Sequence, residues 1–349
     1  MPQRYDRDQT VCAEELLETH LVVPTRRGIL DPVRRVTVIV LLAALVVPAA
    51  SARPFLGVLG SKSRFQALTG QRSRVSHIIV GWNQGYRWGK PLSALLPQNG
   101  PMPMLGIGTS SYPSKREVIT PRAIALGQGD GYLYALNRAI SQWARPIYLR
   151  PFGEMNGHWN VYCAYTASGQ AKGNSHTTAW FRKAFARVYL LAHGGPATTV
   201  NARLQKLGLP PVRSDLVMNP YPTLRVIWNP QAAGSPDVPG NRPQAYYPGD
   251  RYVDVVGNDI YDIGFRPQWD ANERLYRAHP TKPYAFPEWG LWGIDDPVFI
   301  RAMAKFVRSH RRVELLSWFN GQASGGTFDI ATKPRSRAAY RAVITPLGR

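Results

Sequence analysis

The chain has 349 residues, 44% of them hydrophobic and 19% charged. That balance excludes a disordered or low-complexity chain and a coiled coil, and leaves one large domain or two small ones. A net charge of +21 favours anionic partners in principle. Yet 34 of the 43 basic residues are Arg, and they are dispersed, with His310-Arg311-Arg312 about as dense as they become. Nucleic-acid binding needs clustered phosphate contacts and is not expected.

The N-terminal region reads as an export signal. Arg34 and Arg35 precede an uncharged run from Val36 to Val47, and Ala50-Ser51-Ala52 has the small-x-small form of a signal-peptidase site. The run is too short to span a bilayer. Residues 1–52 are therefore expected to be an extension plus a secretory signal peptide, with a start codon assigned too far upstream. Residues 53–349 are expected to form one exported, monomeric domain without stable membrane insertion. Residues 1–52 hold six basic and six acidic side chains, so the remainder keeps the full +21. Cys12 lies in the part to be removed, which leaves Cys163 alone as a buried thiol with no disulfide partner.

Short apolar runs then alternate with helical patterns. Strands are expected at Phe55–Leu59, His77–Trp82, Met102–Ile107, Pro146–Pro151, Leu224–Trp228, Val253–Asp259, Pro283–Phe286 and Val313–Trp318. Most are continuous apolar runs, as parallel strands covered on both faces require. Asp130 is expected to cap a helix with Leu133, Leu136, Ile140 and Trp143 on one face. Phe181, Phe185 and Val188 mark a second helix, stopped by Gly194-Gly195-Pro196. Asp296-Pro297 starts a third, with Phe299, Met303 and Phe306 inward. Gly195–Thr223 reads as a long connection. Eight strands alternating with helices in about 300 residues fit a single (β/α)8 TIM barrel of α/β class. The alternative, a doubly wound open sheet, lacks a G-x-G-x-x-G after its first strand.

In such a barrel the chemistry lies at the C-terminal ends of the strands. Residues 53–349 contain five Glu, and two of them directly follow apolar strands: Glu154 after the fourth and Glu288 after the seventh. An unpaired carboxylate in a barrel mouth is costly. Two converging from opposite sides are what glycoside hydrolysis needs, one to protonate the leaving oxygen and one to attack. Ion pairing with a neighbour such as Arg150 is the competing account. Six Trp (Trp82, Trp159, Trp228, Trp289, Trp292 and Trp318) sit at or just beyond strand ends, where indole faces could stack on sugar rings. No G-x-S-x-G, H-E-x-x-H, C-x-x-C or phosphate loop is present, and the seven His lack metal-ligand spacing. No metal or cofactor is expected.

Three segments resemble glycoside hydrolase family 26, a clan A group of β-mannanases and related endo-glycanases. Arg150–Trp159 (RPFGEMNGHW) resembles its acid/base motif, Tyr247–Tyr261 (YPGDRYVDVVGNDIY) its sixth-strand region, and Lys282–Gly290 (KPYAFPEWG) its nucleophile strand. The resemblance covers roughly residues 55–345. It implies a (β/α)8 barrel and a retaining double displacement, with Glu154 as acid/base and Glu288 as nucleophile. It further implies Trp159 as a stacking residue, Tyr261 as hydrogen-bond partner of the nucleophile, and Trp318 as the platform under the cleaved sugar. Arg150, Asn156, Trp228 and Trp289 complete the expected substrate-binding set.

One departure stands out: the family usually has His immediately before the acid/base Glu, and this chain has Gly153. The loss of a ring there is expected to open room for a bulkier or acidic sugar. The expected function is a secreted endo-β-glycanase acting on a mannan-like or related polysaccharide. A catalytically retired, polysaccharide-binding barrel is the alternative, and a lectin-like adhesion protein the third reading.

Overall fold

Alternation along the strands decides what this molecule keeps inside. A computed structural model describes residues 53–111, 114–323 and 326–349. The barrel strands are β1 (Phe55–Leu59), β2 (Val75–Val80), β3 (Met102–Ile107), β4 (Ile147–Pro151), β5 (Leu224–Trp228), β6 (Val255–Gly257, resuming as Ile260–Ile263), β7 (Tyr284–Trp292) and β8 (Val313–Phe319). Each pairs in parallel with its sequence neighbours, and β8 returns to β1, so eight parallel strands close into a (β/α)8 barrel. Residues from 53 onward fall in one compact unit.

Val75, Met102, Met104, Tyr148, Ile227, Val255, Ala285 and Leu315 make a buried cluster of their own inside the barrel. They are contributed by seven different strands. Because side chains alternate, the residue two steps onward from each faces the same interior nearer the mouth. His77 follows Val75 in this way, Arg150 follows Tyr148, and Asn229 follows Ile227. The apolar plug thus ends where a polar layer begins.

The outward residues pack under the helices: α1 (Lys62–Thr69), α2 (Leu92–Gln98), α3 (Pro121–Ala125), α4 (Asp130–Trp143), α5 (Thr178–His193), α6 (Ala197–Lys206), α7 (Trp269–Ala278), α8 (Pro297–Ser309) and α9 (Pro334–Val343). Helix α8 starts as its sequence indicates. Asp296 accepts from the backbone N–H groups of Val298 and Phe299, and Pro297 needs no partner of its own. It buries Phe299, Ile300, Met303 and Phe306, each contributing about 1.5–3 kcal/mol.

Three expectations need correction. Asp130 does not cap α4 but is its first residue, after Gly129. Its carboxylate instead holds the buried Arg187 of α5, with Nε–Oδ1 at 2.7 Å and Nη2–Oδ2 at 2.5 Å. Gly195–Thr223 is not a bare connection, because α6 begins directly after Pro196. Between β5 and β6 the chain forms three 3-10 turns, over Pro239–Asn241, Pro243–Tyr246 and Asp250–Tyr252, in place of a helix.

Among the described residues no helix is long and apolar enough to cross a membrane. The expected export signal lies outside them.

Candidate active site

Strand β4 ends in a tight turn that aims Glu154 into the mouth. Phe152 and Glu154 both take φ of 54°, a left-handed conformation costly for side-chain-bearing residues and held only where the surroundings insist. Here they do. Phe152 is buried against Trp82, Tyr162 and Phe181. The Gly153 carbonyl accepts from Tyr162 Oη at 2.6 Å, and the Glu154 carbonyl from Asn160 Nδ2 at 2.9 Å. The Glu154 N–H donates to the Asn229 carbonyl at 2.7 Å. The side chain then accepts from Trp159 Nε1 at 2.8 Å on one oxygen and from Gln231 Nε2 on the other.

Glu288 reaches the interior by a different device. The pairing of β7 with β8 slips between Phe286 and Trp289, so one extra residue is accommodated at Pro287-Glu288. A bulge re-aims side chains, and it suits a proline, which has no N–H to give the ladder. Phe286 and Trp289 stay buried on the outer face while Glu288 turns inward.

Arg150 joins the two halves. Its Nε donates to Asn229 Oδ1 at 2.7 Å, its Nη1 to Glu288 Oε1 at 2.8 Å, and its Nη2 to Asp259. Tyr261 donates to Glu288 Oε2 at 2.6 Å, and the Glu288 N–H donates to Asp259 Oδ1 at 2.9 Å. One oxygen from each of Glu154, Asp259 and Glu288 lies within 4.8 Å of the others. At that separation two carboxylates repel by about 3 kcal/mol at an effective dielectric of ~20. One cation among three carboxyl groups cannot neutralise them all.

The imbalance separates their acidities. Burial and the charge of Glu288 push Glu154 above the usual carboxylate range, against the pull of Arg150, Trp159 and Gln231. Glu288 is also penalised by burial, but Arg150 in contact with it, with Tyr261, brings it below that range. Burial lowers His77, whose Nδ1 lies 3.7 Å from Glu288, to about 3. That imidazole is neutral near pH 7, so Arg150 is the cation that matters there. Asp259 is raised by its burial as well, but its carboxyl group has no exposed surface and is bound to Arg150. Glu154 is the raised carboxyl that borders the open cleft.

The cleft beside the pair has a volume of about 340 Å³ and is bordered by Ile79, Ser110, Lys115, Glu154, Trp159 and Glu288. A second cavity of about 270 Å³ touches Gln231 and Tyr261, the hydrogen-bond partners of the two glutamates, together with Ile263 and Arg266. Trp159 is 52% exposed, with a face free for a ligand.

The other expected tryptophans are elsewhere. Trp318 is fully buried between Phe65, Trp289 and Tyr340, and its Nε1 donates to the Phe328 carbonyl. Trp289 stacks on Tyr340. Trp228 packs against Tyr247 and His279. All three point outward into the layer under the helices and present no face to the cleft. Asn156 is likewise not a substrate ligand. It is buried with both ends of its amide on the Gln231 backbone, each at 2.8 Å, and so fixes the loop whose side chain reaches Glu154. The expected space beside Gly153 is occupied by the Arg150 guanidinium.

Three residues of the site carried no motif, His77, Asn229 and Gln231, and Asp259, though inside the quoted sixth-strand segment, was given no role. Period-two counting from Val75 and Ile227 reaches the first and second. Gln231, on a loop, has no such signal.

No family model matches the chain. Endoglucanase H of Acetivibrio thermocellus is 22% identical over 293 residues, covering 80% of this chain, which spans 28% of that protein's length. Among solved structures, Bacillus subtilis mannanase BCman aligns with a TM-score of 0.53 at 16% identity, over 84% of this chain and 86% of its own. GH26A from Muricauda sp. MAR_2010_75 aligns at 0.51 and 16% identity, over 83% and 89%. A modular endo-β-1,4-mannanase from Cellulomonas fimi aligns at 0.51 and 15% identity, over 84% and 71%. The shared fold is the barrel that the family 26 resemblance implies.

Proposed function

We propose that this chain is an endo-acting glycoside hydrolase that cleaves a β-linked polysaccharide, mannan-like or a related glucan, with retention of configuration. The observation that carries this reading is that one carboxylate oxygen of Glu154 comes within 4.8 Å of one of Glu288 at the barrel mouth. Retaining pairs stand about 5–5.5 Å apart, whereas inverting pairs leave about 6.5–9.5 Å for a water. The opposite displacement of their acidities supports the same division of labour.

In this scheme Glu288 enters ionised. Arg150 and Tyr261 each occupy one of its oxygens, and the remaining lone pairs stay available for the anomeric carbon. Glu154 enters protonated, gives its proton to the leaving oxygen, and then takes one from the water that releases the glycosyl-enzyme. Trp159 stacks on a sugar face. The cleft beside the pair on the Trp159 side and the second cavity, lined by their partners Gln231 and Tyr261, suit an internal stretch of chain. The mannanase and endoglucanase names among the similar proteins support a β-linked hexose backbone.

A reducing-sugar assay over β-1,4-mannan, β-1,4-glucan and mixed-linkage glucan tests the proposal. Activity that disappears in Glu288→Ala supports it. A folded protein inactive on all β-glycans overturns it and favours the retired, binding-only barrel. We further propose export of residues 53–349, which predicts a secreted form beginning at Arg53 by N-terminal sequencing.

A further inference from the structure

Gly153 sits between two residues of left-handed backbone, yet its own φ is not positive. Its backbone therefore does not demand glycine, but the space around it does. A Cβ at this position would lie 2.5 Å from Arg150 Nη2 and 2.7 Å from Nε, and closer still to Cζ. Real side chains do not tolerate such contacts, so either the turn or the guanidinium would have to move.

Neither can move cheaply. The turn is held at the Gly153 carbonyl by Tyr162 Oη and at Glu154 by Asn160 and Asn229. The end of an arginine can usually swing aside, but this one is 5% exposed and bonded to Asn229, Glu288 and Asp259 at once. Displacing it would leave two buried carboxylates without their cation.

We propose that Gly153 is a positioning residue, whose missing side chain seats the Arg150 guanidinium flat under the Glu154 turn and so lets one cation serve Glu288 and Asp259 together. The proposal rests on the glycosidase reading for its kinetic consequences, but not for its geometry. It also assigns the wall of the cleft beside Glu154 to a guanidinium rather than to vacant space.

The test compares Gly153→Ala, Arg150→Lys and the double variant. It reads kcat/KM against pH and also the titration of Glu288 by carbon-13 NMR of glutamate-labelled protein, where residues 53–349 contain only five Glu to resolve. Gly153→Ala is expected to lose about 100-fold in kcat/KM, mostly in kcat, as misplacement of a catalytic group does. Its acid limb and the Glu288 resonance should titrate at higher pH than in the parent. The double variant should be no worse than Arg150→Lys, because Gly153 acts through the guanidinium. An unshifted Glu288 titration in Gly153→Ala, or losses that simply multiply in the double variant, would overturn the proposal. If Gly153→Ala does not fold, a cooperative melt restored in the double variant supports it, and failure of both counts against it. A parent protein inactive on every glycan would defeat the glycosidase reading, while the NMR titration would still decide the role of Gly153.

Discussion

Glu154 and Glu288 share one hollow, within 4.8 Å of each other, yet only Glu288 is in contact with Arg150. That asymmetry pushes their acidities apart, and under the proposed mechanism it makes Glu154 the proton donor and Glu288 the anion. Glu288→Ala is expected to abolish turnover on every substrate. Glu154→Ala should lose roughly 10²–10⁴-fold on polysaccharide while keeping much of its rate on aryl glycosides whose leaving group needs little protonation. Added azide should accelerate that variant. The profile of kcat/KM against pH should be bell-shaped, with an acid limb from Glu288 below the usual carboxylate range and a basic limb from Glu154 above it.

The same asymmetry has a cost in stability. Glu154 titrates higher folded than unfolded, so between those two values the folded state holds more protons and stability falls as pH rises. Glu288 behaves oppositely: its contribution is present above the unfolded value and is lost as pH falls through its lowered folded one. Glu154→Gln should therefore raise the melting midpoint near pH 7–8. It should leave the midpoint unchanged near pH 4. Thermal melts at the two pH values check it, and an equal effect at both would contradict the raised acidity constant.

The burial of Trp318 and the exposure of Trp159 make a contrasting pair of substitutions. Trp318→Ala empties a core site and should cost about 3–5 kcal/mol, measured by denaturant titration, with KM unchanged in the protein that remains folded. Trp159→Ala should leave stability within about 0.5 kcal/mol. It should lower kcat/KM roughly 10- to 100-fold, because it removes a donor to an ionisable carboxyl as well as a stacking face.

That Glu154 and Glu288 come together at the barrel mouth was legible from their positions after apolar strands, where a carboxylate has few structural reasons to exist. The tryptophans were misread because a strand-end position does not specify a face. Trp228 adjoins the inward-facing Ile227, and Trp318 adjoins the buried Ser317 of the polar layer. Shifting by one residue moves a side chain from the mouth to the helix layer. His77 could have been reached by the same counting from Val75. The inward turn of Glu288 could not, since it depends on a bulge that breaks the period. Nor could the filling of the Gly153 site, because Arg150 is three residues away and its guanidinium is drawn there by Asn229 and Asp259 from distant strands.

The stereochemistry of the first product tests the central claim most directly. Proton NMR of the anomeric signals, followed from the first minutes of cleavage of whichever β-glycan the enzyme accepts, distinguishes the outcomes before mutarotation blurs them. Attack by Glu288 on the anomeric carbon predicts that the new reducing ends appear first as the β-anomer, with α growing in later. Initial formation of the α-anomer would mean direct attack by water, and would contradict a covalent role for Glu288 at this separation from Glu154.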